Sequence, residues 1–295
     1  MIGIPGKIVM VTRLSAALWL SFLMSVPAMA EPRIEFLGAS TASMSNPHDL
    51  KLSPDGRYLL VSDVGNNRVL FLDPETLAPL GHFGSDHQDG THDVDFDAAG
   101  RLYVADTHNN RVMIYDLNGT EGIQVGELSD RIRGPEGILI HSNGRIYVGG
   151  VWSNNVVAYR EGKVVSELTG LSSPHDLELA PDGTLWLADS GNNRLLQLTS
   201  DLTIIRELSG PPYEFNGVRY LDVLPDGTLI AADKNSHRVL IIASGGELRA
   251  TIGSGFPGKG PMLFRTPEGV ETRGDIVWLS DSGNDRIVKY RISLD

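Results

Sequence analysis

The sequence contains no cysteine. That excludes disulfides, thiolate metal sites, iron–sulfur clusters and a cysteine nucleophile. Positive charge is also scarce: 25 Lys and Arg stand against 37 Asp and Glu, a formal net charge of −12. A phosphate-backbone partner needs clustered basic side chains, so nucleic acid is not an expected partner. No Gly-x-Ser-x-Gly elbow and no phosphate-binding glycine loop occurs. What is present is a globular composition, 41% hydrophobic and 21% charged, with enough apolar residues for a sizeable core. The 33 glycines prove to be periodic.

The one long apolar run is N-terminal. Lys7 and Arg13 precede an uncharged stretch, Leu14 to Ala30, that ends Val26-Pro27-Ala28-Met29-Ala30. A basic start, an apolar middle and a small-x-small site predict a secretory signal peptide over 1–30, cut after Ala30. The stretch is short for a membrane span of roughly 20 residues, so no stable membrane span is expected. The mature chain, 31–295, then carries 23 Lys and Arg against 37 Asp and Glu, a net −14. The expected location is periplasmic or secreted, and the expected state is a monomer.

One phrase recurs along the mature chain: an Asp, four residues, then Arg and an apolar residue. It reads DVGNNRV at 63–69, DTHNNRV at 106–112, DSGNNRL at 189–195, DKNSHRV at 233–239 and DSGNDRI at 281–287. A degenerate copy, GVWSNNV, stands at 150–156. Successive copies start 43, 44, 39, 44 and 48 residues apart. Between them lie short alternating runs such as RLYVAD at 101–106 and TLWLAD at 184–189, the period of strands. Asp55-Gly56, Asn143-Gly144, Asp182-Gly183 and Asp226-Gly227 supply hairpin turns. Four antiparallel strands every ~40–45 residues predict the blades of a β-propeller. The sixth blade stops at its third strand, VKYRISLD at 288–295, while Arg33-Ile34-Glu35-Phe36-Leu37-Gly38 resembles a fourth strand. The expected fold is therefore all-β: residues 31–295 as one six-bladed β-propeller, its ring closed by the N-terminal strand.

At this point the chain resembles the NHL-repeat family. The Asp-x-x-Asn-x-Arg-Val phrase carries the resemblance, with the loop Gly253 to Gly260 before Phe264 and Pro267-Glu268-Gly269. It covers the whole mature chain and implies a six-bladed propeller.

The Asp and Arg of each copy have a structural explanation. In blade three both are lost together, as Gly150 and Asn155. Joint loss is what a mutually bonded pair would show, because breaking one member alone strands a charge.

A second phrase starts 14 to 16 residues before each copy and opens the innermost strand: Pro47-His48-Asp49, Thr91-His92-Asp93, Pro135-Glu136-Gly137, Pro174-His175-Asp176, Val218-Arg219-Tyr220 and Pro267-Glu268-Gly269. Its middle column should ring one mouth of the central channel. That column is His48, His92, Glu136, His175, Arg219 and Glu268, all titratable. If Asn216-Gly217 headed the fifth inner strand, Arg219 would leave the ring. Alternate members sit about 120° apart in a six-fold ring. His92, His175 and Glu268 are thus candidate ligands of a divalent metal, zinc or calcium. His48, Glu136 and Arg219 are candidates for holding a ligand, with His48 and Arg219 the candidates for moving a proton or orienting a substrate. The alternative is a polar channel lining whose members satisfy one another.

The ring also resembles the peptidylglycine amidating lyase, a six-bladed propeller whose zinc histidines lie in Pro-His-x-aliphatic phrases. Pro174-His175-Asp176-Leu177 and Pro47-His48-Asp49-Leu50 fit; Thr91-His92-Asp93-Val94 nearly does. The matching histidines fall on blades one, two and four, and Glu268 stands where a histidine would be needed. Tyr213, Arg219 and Tyr220 are the nearby candidates for that family's tyrosine and arginine. Two functions follow as expectations. One is an exported propeller binding a small molecule or an exported protein or peptide at one face. The other is a metal-dependent lyase or hydrolase at the channel mouth.

Overall fold

The computed structural model describes residues 1, 3 and 32–294; the expected signal peptide lies outside the described residues, apart from Met1 and Gly3. Six four-stranded antiparallel sheets follow one another along the chain. Blades one to five are each built from four consecutive strands. In the sixth, Arg33–Ala39 pairs antiparallel with Arg286–Ser293, so the N-terminal strand supplies the fourth place. No helix among the described residues is long and apolar enough to cross a membrane.

The alternation of the strands explains the packing. In blade one, Leu59, Val61 and Leu70 face blade six, whereas Leu60, Val69 and Phe71 face blade two. Each sheet is therefore apolar on both faces, and six clusters of buried side chains fill the six seams between neighbours. Removing one such leucine would cost about 2–5 kcal/mol. The Asp-Gly turns close the first hairpin of a blade: Gly56 (φ 69°) donates its amide to the Ser53 carbonyl at 2.8 Å. Only the glycine takes the left-handed backbone there, as it does at Gly144, Gly183 and Gly227.

The repeated Asp–Arg pairs are structural, and each lies within one blade. Asp63 Oδ2 accepts from Arg68 Nε at 2.7 Å, while Asp63 Oδ1 accepts the Ser45 amide at 2.7 Å. The pair thus ties the middle hairpin of the blade to the incoming loop. The same bonds recur at Asp106, Asp189, Asp233 and Asp281. In blade three Ser153 and Asn155 do this work instead: Ser153 Oγ accepts the Arg133 amide and Asn155 donates to the Arg131 carbonyl. The second Asn of each phrase is left-handed, as at Asn67 (φ 54°), and its side chain accepts the amide that leads into the next blade. Asn110, Asn154, Asn193, His237 and Asp285 repeat this bond around the disc.

Candidate functional site

The six inner strands are Pro47–Leu52, Thr91–Phe96, Pro135–Ile140, Pro174–Leu179, Val218–Val223 and Pro267–Arg273. Each carries a bulge at its start. In blade one Pro47 pairs with Asp63 but Leu50 with Val61, so one extra residue is inserted beside the channel. Val218 pairs with Asp233 and Leu221 with Ala231 in the same way, which places Arg219, not Asn216, in the ring.

All six predicted side chains come together. His48, His92, Glu136, His175 and Glu268 are buried, Glu268 completely, and Arg219 is partly so. The grouping differs from the alternate-blade triads expected from the sequence. Glu136 lies between two imidazoles, 2.9 Å from His175 Nε2 and 3.7 Å from His92 Nε2. Glu268 lies 3.7 Å from His48 Nε2 and 3.8 Å from Arg219 Nε, and contacts Lys234 Nζ. Arg219 reaches Glu136 as well, at 3.9 Å. The His48 and His92 rings meet edge to face, 4.7 Å between centroids. Among the described residues no three His, Asp or Glu are gathered as a ready metal-ligand set.

Second contacts fix the imidazoles. His92 Nδ1 lies 2.9 Å from the Gly90 carbonyl and His175 Nδ1 2.7 Å from the Ser173 carbonyl. A carbonyl only accepts, so Nδ1 carries a proton in each ring and Nε2 is the atom that faces Glu136. His48 is oriented the same way by Asn46, whose Nδ2 donates to His48 Nε2 at 3.1 Å. Burial, opposed by Glu268, holds the His48 pKa down at about 3, so this ring is neutral at pH 7. Burial pushes the Glu136 carboxyl up, but His175 and His92 together hold it below the ordinary range. Glu268 is likewise held low against burial, by His48, Lys234 and Arg219. Two carboxylates therefore face two permanent cations.

The bonding is incomplete. Glu268 Oε2, His48 Nδ1 and Arg219 Nε are buried without a hydrogen-bond partner in the protein, whereas Glu136 Oε2 meets His175 Nε2 at 2.9 Å and Glu268 Oε1 meets Lys234 Nζ. Leaving such a group unpaired costs about 1–3 kcal/mol, and more for a charged one. Unpaired donors beside unpaired acceptors make a place where water, an ion or a ligand can complete the bonding.

Tyr220 closes the floor of this mouth. It is fully buried, and its hydroxyl donates at 3.1 Å to the His92 carbonyl in the diametrically opposite blade. Beyond it the channel is lined by Asp49, Asp93, Asp95, Asp176, Glu178, Asp222 and Glu271. Lys51 stands among them, 2.9 Å from Glu178 and 3.7 Å from Asp95. These carboxylates are spoken for. Asp93, Asp95, Asp176 and Glu271 accept the amides of Ile138, Ile140, Leu221 and Leu52. Burial drives the pKa values of Asp49, Asp95, Asp176 and Glu271 upward, and lifts Asp93 to about 6 and Glu178 to about 7.

Sequence reasoning missed Lys234 and this acidic layer. Lys234 had a signal: Val64, Thr107, Ser190 and Ser282 hold the matching place in other blades. Tyr213 lies away from the ring, stacked on Phe215, its hydroxyl donating to the Gly246 carbonyl. The loop after His82 is pinned: His87 Nε2 lies 3.0 Å from the Tyr115 hydroxyl and Gln88 is buried. A groove of about 620 Å³ lies between blades two and three along Tyr103, Ile114, Leu128 and Ile140, away from the ring. Its lining holds no unpaired buried polar side-chain atom, so the ring remains the candidate site.

Comparison with known proteins agrees on the fold. The NHL repeat profile matches residues 92–115 and 171–198. No curated protein matches the sequence. Among solved structures, virginiamycin B lyase from Staphylococcus aureus superposes with a TM-score of 0.62 at 17% identity, covering 88% of this chain and 99% of its own. A streptogramin B lyase gives 0.63 at 16% identity over 89% and 98%. The β-propeller domain of Cps50 (Swd1) from Myceliophteria thermophila gives 0.64 at 11% identity over 88% and 100%. A lyase and a propeller domain of another kind match equally well, so the likeness is one of architecture. The chain is a six-bladed β-propeller, two segments of which match the NHL repeat.

Proposed function

We propose that this is an exported propeller that binds a small polar ligand at the ring mouth, held by His48, Glu136 and Arg219 with Glu268 and Lys234. The observation that carries the reading is the set of buried atoms left without a partner, the acceptor Glu268 Oε2 and the donors His48 Nδ1 and Arg219 Nε. A self-satisfied lining would leave none. The test is a thermal-shift screen of small polar compounds on the 31–295 chain, repeated on His48→Ala and Arg219→Ala. Stabilising compounds that lose their effect in both variants support the reading. Compounds that stabilise all three proteins equally contradict it. Export is tested by fractionation and by the N-terminal residue of the processed chain, expected to be Glu31.

A second reading has its own observation. The Nδ1 protons of His92 and His175 are committed to backbone carbonyls, which turns both Nε2 atoms toward the Glu136 carboxylate. Metal-binding histidines commonly hold their other ring nitrogen this way. The donor chemistry fits a divalent ion, and imidazoles favour zinc over calcium. The carboxylate at hand is Glu136; Glu268 is engaged by Lys234, Arg219 and His48. A bound ion would polarise a carbonyl or activate water, as a lyase or hydrolase needs. Arg219 and His48 would orient the substrate. Near one zinc per chain, lost in His92→Ala and His175→Ala, would favour this reading; no metal and no stabilisation by added zinc would remove it.

A further inference from the structure

The degenerate third repeat has a consequence at the same mouth. Its Trp152 is 45% exposed, whereas Trp186 and Trp278 are buried. Trp152 lies parallel to His108, 3° between planes and 5.8 Å between centroids. His108 meets His92 edge-on at 6.1 Å, and His92 meets His48 at 4.7 Å. An aromatic wall therefore runs from the ring to the rim of the disc. His108 is held by Asp89, 3.0 Å from Nδ1. Both rings rest on glycines with no room for a side chain: a Cβ on Gly90 would lie 3.0 Å from His108, and one on Gly134 only 2.6 Å from Trp152. The wall is one-sided, because Gly65, Gly191 and Gly283 hold the matching column in blades one, four and six.

We infer that the ring-mouth ligand is an uncharged molecule with an aromatic ring beside an amide-like donor–acceptor pair, its ring stacked on the Trp152–His108 wall. The inference rests on the ring mouth being the ligand site. The wall supplies a half-exposed aromatic face with a rigid backing. The donors left over at the mouth, His48 Nδ1 and Arg219 Nε, suit a carbonyl oxygen; the acceptor left over, Glu268 Oε2, suits an N–H, with the Glu136 carboxylate beside it. Charge balance at the mouth excludes a free anion as the best fit, because Arg219 and Lys234 are already opposed by the two carboxylates.

The test is ligand-observed NMR titration of the 31–295 chain with benzamide, cyclohexanecarboxamide and benzoate. Benzamide is expected to bind, and Trp152→Leu to weaken it roughly two- to tenfold, the range of one aromatic pair. Cyclohexanecarboxamide should be weaker by a similar factor on the wild-type chain and indifferent to Trp152→Leu. Thermal melts of Trp152→Leu and Trp152→Phe check folding, and Trp152→Phe should retain most of the benzamide affinity. Equal binding of the two amides, unchanged by Trp152→Leu, overturns the stacking and leaves the ring site standing. Tighter binding of benzoate overturns the neutral class. Benzamide binding that persists in both Glu136→Gln and Glu268→Gln separates the wall from the ring and overturns both readings, as does no saturable binding of any probe.

Discussion

The central channel has two titratable ends with opposite solutions to the same problem. Below Tyr220, seven carboxylates share Lys51, and each of them accepts a strand amide. Above it, three histidines, two glutamates, Arg219 and Lys234 leave Glu268 Oε2, His48 Nδ1 and Arg219 Nε without a partner. The lower layer is crowded but satisfied, so its charges serve the joints between blades. The upper ring is nearly balanced in charge but incompletely hydrogen-bonded, and the proposed ligand would complete its bonding. Charge density and bonding thus single out different ends.

Substitutions can break this contrast, and the largest effect is expected at Glu268. Glu268→Ala strands Arg219 and Lys234 beside a buried hole, and should lower stability by about 3 kcal/mol in urea unfolding. Lys51→Met removes the lone cation of the lower layer. It should cost about 2 kcal/mol at pH 8 and much less at pH 5, where the carboxylates can protonate.

Acid titration separates the ends by sign. The Glu178 pKa is raised from 4.5 to about 7, so between those values the folded chain holds more protons than the unfolded one. Stability contributed there falls as pH rises through the window. Glu178→Gln should therefore raise stability by about 1–2 kcal/mol at pH 8, with the gain vanishing near pH 4. At the upper ring the His48 pKa is lowered from 6.5 to about 3, so its contribution is present above 6.5 and is lost as pH falls toward 3. Melts of His48→Leu and Glu178→Gln across pH 4–8 should change slope in opposite directions; parallel profiles would erase the distinction between the ends. The smallest effect is at the partition itself. Tyr220→Phe deletes one cross-channel hydrogen bond and should cost about 1 kcal/mol.

The propeller was legible because repetition amplifies weak signals. Six copies of a turn phrase and the alternation of each strand specify the blades, and the resemblance of residues 33–38 to a fourth strand specifies the closure. The ring column was legible because its six members are aligned by the repeat. What the sequence hid is grouping and depth. The bulge after Pro47 breaks the period of two, so His48, Asp49 and Lys51 all serve the channel. A strict alternation would send them to different faces, which conceals the acidic layer. Threefold convergence was expected of His92, His175 and Glu268. Lys234 and Arg219 instead draw Glu268 to one side, and Glu136 takes the two imidazoles. That choice depends on side-chain reach across blades, which spacing in the sequence does not encode.

The central claim is that the ring end, and not the acidic end, receives the ligand. The most direct measurement is the affinity of the most stabilising compound from the thermal-shift screen, taken side by side on the wild-type chain, Glu136→Gln and Glu178→Gln. The account predicts at least about tenfold weaker binding to Glu136→Gln, since each 1.4 kcal/mol of lost interaction is a factor of ten. It predicts unchanged binding to Glu178→Gln. Loss of binding in Glu178→Gln with full affinity in Glu136→Gln would contradict it.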